Sequence, residues 1–169
     1  MSEIVNKVAH SALVTFDLEA HYPEGKRVLF DYTSWLEGGL VLREKSFREQ
    51  VKTFDWSQFA NQYVALWCTE DAILPAWASM LITTQLALHA KRVVAGTLND
   101  LERTLFLEVI ADLDLTPFSN KAVMVKGCSH KRIPQDAYLQ LIQKLQPVAK
   151  SLFYGEACAS VPLFKKQSS

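Results

Sequence analysis

From Tyr63 onward the chain alternates between short apolar runs and longer amphipathic stretches, and this alternation constrains the fold more than any other feature. Tyr63–Cys68, Lys91–Gly96, Ala122–Lys126 and Ser151–Tyr154 are rich in β-branched and aromatic residues and read as strands. Helical signals fill the gaps between them. Pro75 stands where a helix start tolerates its missing N–H. Thr97-Leu98-Asn99-Asp100 pairs a Thr with an acid three residues later, a capping signature for a helix running to Ala111. Pro134 opens another, in which Tyr138, Leu141, Ile142 and Leu145 repeat at helical spacing. Crossovers of this length join parallel strands.

The N-terminal third reads differently. Leu13–Leu18 and Arg27–Asp31 are strand-like and flank the Pro- and Gly-containing turn His21–Gly25, which predicts an antiparallel pair. A helix follows over Glu44–Phe54, with Phe47, Val51 and Phe54 on one face. The expected fold class is therefore α/β: a mostly parallel sheet with helices on its faces and an antiparallel N-terminal strand pair. No repeat, low-complexity tract or Gly/Ser linker is evident, so residues 1–169 read as a single domain, loose only over Lys165–Ser169.

Composition narrows the function classes. With 49% hydrophobic residues the chain can bury a core, which excludes intrinsic disorder. Eighteen basic residues balance eighteen acidic ones, so the surplus of positive charge that nucleic-acid binding requires is missing. The stretch from Ala72 to Ala90 lacks Asp, Glu, Lys and Arg, but Pro75, Ser79, Thr83, Thr84, Gln85 and His89 dilute it, and a buried helix is expected in place of a membrane span. Met1–Asn6 has neither a basic nor an apolar signal region, and three cysteines make an odd number. A cytoplasmic location with reduced or metal-bound thiols is the expectation.

The cysteines are the candidate site. Cys68, Cys128 and Cys158 each follow a predicted strand, so parallel strands would deliver all three to the carboxyl edge of one sheet, where open α/β sheets bind ligands. Three thiolates with a further ligand suit zinc or an iron–sulfur cluster, and His130 stands two residues from Cys128 as a candidate fourth ligand. The alternative is that each Cys is a small buried hydrophobe, and His130 a solvent-exposed loop residue. Lys126-Gly127-Cys128-Ser129-His130-Lys131-Arg132 is the one basic cluster, and its cations would lower the pKa of Cys128 and favour an anion. An enzyme with Cys128 as nucleophile is thus a rival reading, and a non-catalytic interaction protein with packing cysteines is another.

Other candidates have plainer readings. Asp17 and Glu19 are expected to face water on a half-exposed strand, and Glu70 and Asp71 to favour the start of the helix after Pro75. Trp35, Trp56, Trp67 and Trp77 read as core anchors, the last two also bracketing Cys68. GxGxxG, Walker A, HExxH and GxSxG motifs are absent.

Several longer strings carry a resemblance. "SEIVNKVAHSALVTFDLEAHYP", "RVLFDYTSWLEGGLVLREKSFRE", "DWSQFANQYVALWC", "DAILPAWASMLITT", "VMVKGCSHKRIP" and "LQPVAKSLFYGEACASVPL" together span nearly the whole chain. They resemble an uncharacterised domain-of-unknown-function family of Bacteroidetes bacteria, whose genes often stand beside those for SUF-type iron–sulfur cluster assembly. The resemblance implies an accessory role in cluster assembly, delivery or repair, with iron–sulfur assembly proteins as partners. All three cysteines fall inside its family-like phrases ("VALWC", "VKGC" and "YGEAC"), whereas His130 does not belong to the family's pattern, which leaves Asp17, a water or a bound partner as the fourth ligand. No nucleic-acid or membrane partner is expected, and a homo-oligomer is compatible with the sequence.

Overall fold

The computed structural model describes residues 13–127, 129–156 and 158–167. In chain order the elements are β1 (Leu13–Phe16), β2 (Arg27–Asp31), α1 (Glu44–Thr53), β3 (Tyr63–Trp67), α2 (Trp77–Leu86), β4 (Arg92–Ala95), α3 (Leu98–Ala111), β5 (Ala122–Lys126), α4 (Gln135–Leu145), β6 (Ser151–Glu156) and β7 (Ala159–Lys165). The chain divides into two compact units. Unit 2 is the continuous stretch Glu24–Thr104; unit 1 is formed by the residues up to Pro23 and those from Leu105 onward.

Each unit has its own sheet. Unit 2 holds three strands in the order β2-β3-β4, all parallel. Unit 1 holds four in the order β1-β5-β6-β7, of which the first three are parallel and β7 runs antiparallel to β6. The expected α/β class and mostly parallel sheet are thus present, but the antiparallel pair lies at the C-terminal end. β1 and β2 do not pair with each other at all: Val14 pairs with Val123, and Val28 with Val64. The residues between them explain this. Leu18–His21 winds into a 3-10 turn capped by Asp17, so the segment is far from a tight hairpin loop.

The periodic residues pack as their spacing requires. In unit 2, Phe47 and Val51 of α1 and Ala78, Ile82 and Leu86 of α2 are buried with Phe30, Val64 and Leu66 of the sheet. Phe30 is the hub of an aromatic cluster, with the rings of Trp35, Phe54, Trp56 and Phe59 all within 5.5 Å of its own. The Trp56 indole N–H donates to Val51 O at 2.8 Å, so the ring is buried without an orphaned donor. In unit 1, Phe106 and Ile110 of α3 and Ala137, Leu141 and Leu145 of α4 are buried with Phe16, Val123, Val125 and Leu152. Lys144 donates to Ile110 O at 2.5 Å and also to Ala111 O, closing the C-terminal end of α3 with a cation. Thr97 and Asp100 form the expected cap of α3, each backbone N–H bonding the other's side chain.

The two units are copies of one plan. Residues 47–96 align without a gap on residues 106–155, with Phe47, Asp55, Phe59, Asn61, Pro75, Ala78, Leu86, Ala90 and Gly96 matching Phe106, Asp114, Phe118, Asn120, Pro134, Ala137, Leu145, Ala149 and Gly155. The first strands align likewise, Val28, Phe30 and Asp31 on Val14, Phe16 and Asp17. Backbone details repeat at the matched positions. Asp55 caps Ser57 N–H at 3.0 Å and Asp114 caps Thr116 N–H at 2.9 Å. Asn61 and Asn120 are the two non-glycine residues with positive φ, at 59° and 54°, among the described residues. Their N–H groups donate to His89 O at 3.0 Å and Val148 O at 2.8 Å, again matched positions. The chain therefore does contain a repeat. Sequence reading misses it because the matches are scattered through core and turn positions, and because the first strands of both copies come at the N-terminus.

The left-handed turn before each central strand yields a test. Asn tolerates this conformation and Ala does not, so Asn61→Ala and Asn120→Ala should each lower stability by about 1 kcal/mol. Asn→Gly at either site should be neutral or stabilising. Urea unfolding of the four variants measures this, and equal tolerance of Ala and Gly would contradict the shared-turn account.

Candidate functional site at the strand ends of unit 1

Where the copies agree, residues build the fold; where they differ at the strand ends, unit 1 has acquired charge. Asp17 and Asp31 illustrate the shared part. The Oδ1 of Asp17 accepts Glu19 N–H at 2.9 Å, and that of Asp31 accepts Thr33 N–H at 2.9 Å. The differences follow directly after. Lys126 in unit 1 stands where unit 2 has Trp67, Glu19 where it has Thr33, Tyr154 where it has Ala95, and Glu156 where it has Thr97.

These replacements make a polar rim. Lys126 Nζ lies 3.1 Å from Asp17 Oδ2, across adjacent strands. Glu19 Oε2 accepts the backbone N–H of His130 at 2.9 Å and so tethers the segment after β5. Gly127 N–H donates to Gly155 O at 3.3 Å, and a Cβ on Gly127 would lie 3.1 Å from the Tyr154 ring, so a side chain there would crowd that ring. Glu156, at the end of β6, has its Oε1 enclosed with no hydrogen-bond partner among the described residues. Three carboxylates thus gather where Lys126 is the cation bonded among them.

The electrostatics follow from these contacts. Burial alone would raise the Asp17 pKa, but the hydrogen bond from Lys126, the Glu19 N–H and the lysine charge together hold it below the ordinary carboxylate value of 3.8. The Asp17 hydrogen bond and charge, with Glu156 and Glu19 behind them, push Lys126 above its ordinary 10.5. Tyr138 is raised above 10.0 by burial first, then by Tyr154, Asp17 and Glu19.

The sequence-predicted ligands are distributed differently from expectation. The premise that all three thiols leave one sheet fails, because β3 belongs to the three-stranded sheet and β6 to the four-stranded one. Cys68 is half-buried against the apolar core of unit 2, with Sγ 3.7 Å from the Thr33 hydroxyl. That hydroxyl donates to Asp31 at 2.6 Å and accepts Thr69 N–H at 3.0 Å. Beside it, burial, with Cys68 and Asp31 nearby, pushes Tyr32 up to about 12. Cys158 is free and exposed in the turn between β6 and β7. Cys128 lies outside the described residues. His130 is exposed. Among the described residues, no three His, Cys, Asp or Glu side chains form a metal-binding group.

Two carboxylate expectations also change. Asp17 and Glu19 lie beyond the end of β1: Asp17 caps a 3-10 turn, and Glu19, inside that turn, tethers His130. Glu70 and Asp71 are not in the first turn of α2, which begins at Trp77 and carries no acid there. Glu156 escaped notice because its significance lies in a missing partner, which only coordinates reveal. No described helix is long and apolar enough to cross a membrane.

Fold and rim together define a duplicated α/β protein with one elaborated, acid-rich strand-end surface. The chain belongs to the family described as Protein of unknown function (DUF2480), whose model matches residues 2–166. No curated protein matches the chain, and no solved structure does.

The depressed pKa of Asp17 makes a signed prediction. A group lowered in the folded state contributes stability that is complete above its unfolded value, near 3.8, and is lost as pH falls through the folded value. The Asp17 carboxyl carbon should therefore titrate below 3.8 by NMR. In Lys126→Met its midpoint should rise, because burial remains while the main opposing hydrogen bond is gone. An unmoved midpoint would show that Lys126 is not the cause.

Proposed function

We propose that this protein binds a metal ion at the strand-end rim of unit 1, with Glu156, Cys158 and Cys128 as donors, and that it serves as an accessory in zinc or iron handling. The observation that carries this reading is the enclosed, unpartnered Oε1 of Glu156. Leaving a buried acceptor unpaired costs about 1–3 kcal/mol, and a cation would remove that cost. The chemistry of the surroundings agrees. Cys158 is two residues from Glu156, and Cys128 is bonded to Gly127, whose N–H meets Gly155 at 3.3 Å. Thiolate and carboxylate together suit zinc and iron(II). An exposed position for Cys158 suits transient loading more than a closed structural site. Iron–sulfur assembly is the physiological setting that the sequence resemblance suggests. Cys68 has no part in this reading, since it packs in unit 2.

The rival, Cys128 as a nucleophile in an anion-binding loop, has less support. Lys126 is bonded to Asp17, and Lys131 lies over the Tyr22 ring at 4.4 Å, so two cations of that cluster are already engaged.

Protein prepared without oxygen should take up Zn(II) or Fe(II) in isothermal titration and metal analysis. Cys158→Ser and Glu156→Gln should each weaken binding at least tenfold, while Cys68→Ser leaves it unchanged. Absence of uptake by the unsubstituted protein, or equal loss in Cys68→Ser, overturns the reading.

A further inference from the structure

The duplication exposes a vacancy in unit 2. In unit 1 the outer edge of β6 is covered by β7, which runs antiparallel to it, and Phe164 of β7 packs into the core beside Tyr138, Ile142 and Leu152. The matched strand in unit 2 is β4. After β4 the chain passes through Gly96 and Thr97 into α3, and among the described residues no strand covers β4, which is an edge of its sheet. Gly96 N–H donates to Leu66 O at 2.9 Å on the β3 side. By the two-residue alternation of a strand, the peptide groups of Val93 and Ala95 then face the outer side, where the Arg92 guanidinium donates to Val93 O at 3.0 Å and would give way to an added strand.

A groove of about 440 Å³ lies along this edge, lined by Val93 and Ala95 of β4, by Ser79, Met80 and Thr83 of α2, and by Ala87 just after it. Thr84 and Ala87 of its lining match Gln143 and Gln146 of unit 1, which lie beside Phe164 of β7. Ser79 and Ala95 stand where unit 1 has Tyr138 and Tyr154, whose rings are 6.0 Å apart. Two small residues in place of two tyrosines leave the space empty. The groove wall carries no charged side chain, and Met80 at its lip is 64% exposed.

We propose that β4 of unit 2 accepts an extended segment of a partner protein by strand addition, antiparallel as β7 is on β6, with a bulky apolar side chain seated in this groove. The occupant's chemistry is set by both halves of the comparison. Main-chain pairing to Val93 and Ala95 demands an extended backbone, and the uncharged groove demands a large aromatic or aliphatic anchor at the position Phe164 occupies. A second copy's β4 offers only Val and Ala at that place, too small to fill a groove of about 440 Å³. The proposal does not depend on the metal site.

The probe is a synthetic peptide copying Ala159–Lys165, together with its Phe164→Trp and Phe164→Asp forms, added to the full-length 15N-labelled protein. The Phe and Trp peptides should give saturable shifts centred on Val93–Ala95 and α2, and the Asp peptide should bind at least tenfold more weakly. Met80→Glu and Ala87→Glu, both at exposed positions, should weaken the Phe peptide at least tenfold with unchanged thermal unfolding. No shifts with either anchor at millimolar peptide, or shifts confined to other elements, overturns the proposal. So does a dimer by light scattering whose β4 amides are protected from exchange without peptide, since a second copy would then hold the edge.

Discussion

A layer of three parallel strands, each four to six residues long, cannot bury its central strand unaided, and this constraint organises both units. Val64 and Val123, at matched places on the central strands, are wholly inaccessible to water, as are Phe47 and Phe106 on the helices above them. Truncating one such phenylalanine to alanine typically costs about 3–5 kcal/mol. Each helix in turn is aimed by the turn before the following strand, where Asp55 or Asp114 caps and Asn61 or Asn120 reverses the chain. Core contact and turn geometry are repeated as a set, because neither would place the strand without the other.

Duplication separates what the architecture needs from what the protein uses. Asp17 and Asp31 make the same local bond to the second residue onward, so that bond belongs to the plan. Lys126, Glu19 and Glu156 have no charged counterparts in unit 2, where Trp67, Thr33 and Thr97 stand instead. The cysteines are not copied either: Cys68 aligns on Gly127, and Cys128 on Thr69. Unit 2 departs in its own direction, trading two tyrosines for Ser79 and Ala95 beside an uncovered strand. The same scaffold thus presents a polar rim in one copy and an apolar groove in the other.

Much of this was legible in the sequence. Helical spacing located α1 and α4, and Thr97 with Asp100 marked the start of α3. Partner choice among strands was not legible, because apolar runs of similar composition are interchangeable until tertiary packing selects between them. That ambiguity produced the N-terminal antiparallel pair and the single sheet edge for all three thiols. β7 was missed because Pro162 interrupts its run; an edge strand tolerates that proline, since its missing N–H can face outward. Of the candidate site, the cysteine-bearing turn after β6 was legible. The Asp17–Lys126 pair and the lone Glu156 oxygen were not, since both depend on strand neighbours remote in the chain.

The pairing of Val14 with Val123 has a consequence for biosynthesis. Glu24–Thr104 is contiguous, so a nascent chain can close that sheet and its core while the remainder is still untranslated. β1, made earlier, must stay unmated until β5 leaves the ribosome, and closing so long a loop is slow. β1 therefore waits longest of the parallel set for a neighbour, and its apolar side chains are the ones a chaperone would need to shield in the interval.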